Sequence, residues 1–117
     1  MEDKLEVLKT LIAEFFSEEF YHVSIANVRK AIRENVHYKH DWDDIVRMIL
    51  FRNIPNGEAL NILFDDGHLI LHENTEEGAY RWLMLMLVNV SRGYNEPIIG
   101  EREFLDPNLG LEIKPIT

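Results

Sequence analysis

"ALNILFDDGHLILHE", Ala59 to Glu73, is the stretch that decides the fold class. Two apolar runs, "ALNILF" and "HLILHE", flank Asp65-Asp66-Gly67. Asp-Gly between apolar runs is a strong short-range signal for a β-hairpin, because both residues tolerate positive φ. The chain is then expected to reverse at residues 65–67. Leu69 and Leu71 share one face of the second strand, and His68, Ile70 and His72 share the other. A helix through the same residues is the competing reading, and Gly67 and the acid pair argue against it. The sequence therefore predicts an α+β protein: a mostly helical single domain with an antiparallel β-hairpin near residues 59–72 and an irregular C-terminal arm.

Helical periodicity governs the flanks. Leu5, Leu8, Ile12 and Phe15 recur at helical spacing, which predicts a helix from about Asp3 to Ser17. Ser24 suits an N-cap for a second helix over residues 25–35, with Ile25, Val28, Ala31 and Ile32 inward and Arg29, Lys30 and Arg33 outward. A third helix is expected after Asp41, since Trp42, Ile45, Val46, Ile49 and Leu50 form one apolar face. It stops before Pro55, which disfavours helix at Ile54. In the last helix, Asn74 and Glu77 read as a capping box, and Glu76 and Glu77 suit the positive end of the helix dipole. That helix reaches Ser91 or Arg92 and is apolar nearly all round, so it is either central or covered by a partner. Three of the four prolines and two glycines fall in residues 95–117, which predicts the irregular arm.

Composition narrows the function. The chain has 117 residues, room for one domain with a real core. With no cysteine, thiolate chemistry and disulfides are excluded. No apolar run reaches the roughly 20 residues of a membrane span, and the N-terminus carries no secretory pattern. A cytoplasmic protein is expected. The net charge of −9 repels nucleic acid and anionic lipid, so neither is an expected partner.

That charge is unevenly placed. Residues 54–80 hold six acids and no Lys or Arg, a local −6. Four of these acids have a local explanation: Asp65 and Asp66 as turn residues, Glu76 and Glu77 as cap and dipole residues. The missing cations have none, because acids serving only caps and turns are ordinarily interspersed with Lys and Arg. Asp65, Asp66, Glu73, Glu76 and Glu77, with Glu58 and Tyr80 at the margin, are therefore the candidate docking residues for a basic partner. The idea fails if these carboxylates scatter over unrelated sides, or if each meets a cation brought from elsewhere.

Other chemistry is poorly supplied. His37 and His40 straddle an expected helix boundary, and His68 and His72 would lie roughly 13 Å apart along a strand, too far for one ion. No metal site and no cofactor is expected. Ser17, Ser24 and Ser91 read as helix-end residues, and no phosphate-binding loop occurs. An enzyme is not expected.

Four stretches carry a resemblance: "EFFSEEFY" (14–21), "DWDDIVRMIL" (41–50), "PNGEALNIL" (55–63) and "ENTEEGAYRWLMLMLVNV" (73–90). Over roughly residues 5–92 the chain resembles bacterial immunity proteins of contact-dependent growth inhibition systems. The resemblance rests on general arrangement and carries no residue roles across. It implies a non-catalytic cytoplasmic inhibitor that binds and neutralises a cognate toxin domain, often a nuclease. A nuclease holds phosphates in a basic cleft, which an acidic surface can enter. The alternative is a structural adaptor or homodimer built on the two-sided apolar helix over residues 75–92.

Overall fold

The computed structural model of the chain describes residues 4–17, 20–69, 74–92 and 97–98. Five α-helices and one π-helical turn make up the described fold: α1 (Lys4–Phe16), α2 (Tyr21–Glu34), α3 (Val36–Leu50), α4 (Glu58–Asn61), the π turn (Ile62–Asp66) and α5 (Glu76–Ser91). No described residue lies in a strand. The hairpin expected near residues 59–72 is therefore corrected: as far as Leu69 the segment is helical and then irregular. Ile70 to Glu73, the rest of the expected second strand, and most of the expected C-terminal arm fall outside the described residues.

Burial explains why helix wins over hairpin. Ala59, Ile62 and Leu63 are buried, at the helical spacing i, i+3, i+4, while Phe64 and Asp65 face out. The π turn then ends on a closing motif. Leu69 N–H donates to the Leu63 carbonyl at 2.9 Å and His68 N–H to the Phe64 carbonyl at 3.2 Å. This is a Schellman-type C-terminus widened by one residue. Its left-handed residue is His68 (φ 52°), whereas Gly67 is right-handed (φ −93°). The glycine serves proximity instead. A Cβ there would lie 2.7 Å from Ile12 Cγ2 and 2.9 Å from the Leu63 carbonyl oxygen. Asp-Gly thus marks a helix end pressed against α1.

The same device ends α3. Asn53 N–H donates to the Met48 carbonyl at 2.9 Å and Arg52 N–H to Ile49 at 3.2 Å, with Arg52 at φ 52°.

Three helix starts differ from expectation. α2 begins at Tyr21, and Ser24 is no cap: it is fully buried, and its Oγ donates to the Phe20 carbonyl at 3.2 Å. Contacts made by Tyr21 explain the earlier start, since its hydroxyl accepts from Asn89 Nδ2 and its ring meets Phe16 and Trp82. α3 begins at Val36, capped by Asn35, whose side chain accepts from His37 N–H at 2.9 Å. Asp41 is an interior residue, and Lys39 pairs with Asp43 across one turn at 2.6 Å. α5 is capped by Thr75, whose Oγ accepts from Gly78 N–H at 3.0 Å, in place of the expected Asn74–Glu77 box.

Arg29 also departs from expectation. Its side chain is buried, and Nε and Nη2 both donate to the Asn89 carbonyl, at 2.9 and 2.6 Å. That carbonyl lies in the last turn of α5, where a helix carries partial negative charge. Lys30 and Arg33 do face solvent.

α5 is the central element, packed on α2, α3 and α4, while α1 covers α2, α3 and the π turn. Leu83, Met86, Leu87 and Val90 join Leu8, Ile12, Ile25, Trp42, Ile45, Ile49 and Leu63 in one core. The apolarity of α5 is therefore accounted for within one chain, which removes the reason for placing it at a dimer interface.

Candidate functional site

The described part of the cation-free segment contains α4, the π turn and the first turn of α5, so Glu58, Asp65, Asp66, Glu76 and Glu77 are held by helical backbone. Their fates divide. Glu76 turns back onto α4, where its two oxygens accept from Ala59 N–H at 3.1 Å and Leu60 N–H at 3.3 Å. A short helix whose first N–H groups would otherwise lack partners is thereby capped from a distant element. Glu77 meets Arg52 in a two-pronged pair, both contacts at 2.8 Å. The guanidinium holds the Glu77 carboxyl below its ordinary range, and Glu77 in turn raises Arg52. Arg52 also lies over the Tyr80 ring, 4.2 Å from its centre. Tyr80 is buried, its hydroxyl donating weakly to the Ile54 carbonyl at 3.5 Å. Burial pushes its phenol up, with Glu76 adding to the shift. Tyr80 thus supports the fold beneath this corner and offers no contact surface. Trp82 likewise packs inward, edge-on to Phe16.

The other half faces outward. Asp65 is exposed, Asp66 and Glu58 half-buried. Lys9, from α1, feels the charge of two of them, Glu58 and Asp66. It bonds Glu6 at 3.4 Å, and that bond raises the ammonium pKa first, with the charges of Glu58 and Asp66 adding to it. Glu77 has found an arginine and Glu76 a structural task, while Glu58 on α4 and Asp65 and Asp66 on the π turn are exposed or half-buried and form no ion pair among the described residues. Glu73 lies outside the described residues.

Glu6 also lines a groove between α1 and α3 of about 370 Å³. Val7 and Leu11 contribute apolar surface, and Glu14 and Asp41 add carboxylates. Tyr38 forms part of the wall, its hydroxyl donating to Glu14 at 3.2 Å and its ring meeting Phe15 edge-on. Sequence reasoning missed this groove. Glu14 and Tyr38 are 24 residues apart, and Asp41 read as a cap. Only the helical spacing of Val7 and Leu11, four apart on α1, was locally legible.

Among the described residues no three His, Asp or Glu side chains gather as a metal-binding group, and no helix is long and apolar enough to cross a membrane. No family model matches the chain, and no curated protein or solved structure does so at a significant level. The likeness to immunity proteins therefore rests on the quoted stretches alone.

Proposed function

We propose that this chain is a non-catalytic inhibitor that binds and neutralises a basic bacterial toxin domain, through the face where Glu58, Asp65 and Asp66 gather. The observation carrying the proposal is that Glu58, Asp65 and Asp66, on α4 and the π turn, stand exposed or half-buried with no ion pair among the described residues, while nearby Lys9 is bonded to Glu6. Such a face accelerates encounter with a positive cleft and rejects acidic competitors. Glu77 joins it by exchanging Arg52 for a cation of the partner, and Glu76 contributes field while it holds α4. The resemblance supplies the partner's class, and the cytoplasm would be the place of action.

The test is direct binding to a basic toxin domain, sought first among the genes that neighbour this one. Replacing Glu58, Asp65 and Asp66 together by Lys is expected to weaken the complex by about a hundredfold or more, chiefly through slower association and with a flatter salt dependence. Unchanged affinity in a variant that keeps its helical spectrum and midpoint of unfolding overturns the proposal.

A further inference from the structure

The groove between α1 and α3 lies beside the proposed docking face, which it meets at Glu6. Its lining includes Glu6, Glu14 and Asp41 and neither Lys nor Arg. A second groove, of about 350 Å³, makes an instructive contrast. Lys4 and Arg47 line it and both stand beside Asp44, at 3.8 and 3.9 Å, so its carboxylate is already attended. In the α1–α3 groove, Glu6 is bonded by Lys9 and Glu14 accepts from the Tyr38 hydroxyl, and the lining as a whole keeps a deficit of positive charge.

We propose that the α1–α3 groove receives an arginine side chain of the partner protein, with its aliphatic stem on Val7 and Leu11 and its guanidinium between Glu14 and Asp41, beside the Tyr38 wall. This rests on the reading that the partner is a basic protein. The chemistry of the lining selects the occupant. An apolar surface next to carboxylates suits a side chain with a hydrocarbon stem and a cationic head. Carboxylates from two helices suit a planar fork of several N–H donors better than the compact ammonium of lysine. The volume lies at the scale of sites that take one ligand group. Glu6 also joins the groove to the proposed docking face: it lines the groove and bonds Lys9, the ammonium on which Glu58 and Asp66 act. One basic surface can therefore engage both.

The probe is N-acetyl-L-arginine amide, titrated into the whole protein and followed by NMR. Shifts at the Val7 and Leu11 methyls and the Tyr38 ring are expected. N-acetyl-L-citrulline amide, which has the same shape without the charge, should leave them unmoved. The double variant E14Q/D41N, in which the glutamine still accepts from Tyr38, should bind the arginine probe and the toxin domain at least about tenfold more weakly. An equal response to citrulline, or an unchanged response in the double variant, overturns the inference. The two proposals fail separately. If wild-type protein ignores the toxin domain yet takes the arginine probe, the toxin reading falls and the groove stands. If the toxin domain binds while the groove signals stay still, the groove falls alone.

Discussion

Glu76 and Glu77 on one side, and Glu58, Asp65 and Asp66 on the other, come from the same cation-free segment and meet opposite fates. The first two are absorbed by the fold: one caps α4 and the other grips Arg52. The other three stay exposed or half-buried, with no ion pair among the described residues. A run of like charge in sequence is therefore not yet a surface. Cations 25 residues away can reach into it, and backbone N–H groups can claim a carboxylate without any cation. What is left after those claims is the surface that a partner meets.

Substitutions can break or sharpen this division. The largest loss is expected at Gly67, which follows Asp66 and packs closely against α1. Gly67→Val must push Ile12 or the Leu63 carbonyl aside, at a cost of about 2–3 kcal/mol in urea unfolding, with Gly67→Ala less severe. Next comes Glu76→Ala. Removing both acceptors from the α4 N–H groups should cost about 1–2 kcal/mol and increase amide exchange at Ala59 and Leu60. Free exchange rates left unaltered there would return Glu76 to the surface group.

Glu77→Gln should cost less, and its effect should depend on pH and salt. Arg52 holds the Glu77 carboxyl below its ordinary value of 4.5, so the folded state binds that proton less readily than the unfolded state. The stabilisation is then complete above that value and lost as pH falls through the lowered one. Wild type and Glu77→Gln should differ at neutral pH and converge in acid or in strong salt, when their urea midpoints are compared. Tyr38 and Tyr80 act at the other end. Both phenols are raised, mainly by burial, so their contribution is full below pH 10 and lost as pH rises beyond it. An alkaline decline in midpoint that tracks tyrosinate absorbance checks this. Smallest of all, Asp65→Asn should change stability by no more than about 0.5 kcal/mol in either direction, because its carboxylate faces solvent. A marked loss would place Asp65 with the absorbed residues.

The helices of the flanks were legible because each buries one continuous stripe. α1, the second half of α3 and the reach of α5 follow from apolar spacing alone. Starts were less legible. Ser24 and Asp41 are chemically good caps, but Asn35 and the contacts of Tyr21 draw the chain into helix before either is reached. Arg29 looked like one of three surface cations until α5 brought the Asn89 carbonyl to it. Of the candidate site, the excess of acid was plain in the composition, whereas its division was not, since Arg52, Lys9 and the N–H groups of α4 are partners only in space.

By itself the sequence determined the helical periods, the buried Trp42, the absence of thiol chemistry and the acidic imbalance, because each depends on residue type and local spacing. Tertiary structure alone decided that Asp66-Gly67 ends a helix. The glycine is needed where α1 comes within contact of the π turn, and a left-handed residue is supplied one position later by His68. It also decided which carboxylates remain free, since electrostatic pairing acts over a few ångströms of space whatever the separation along the chain.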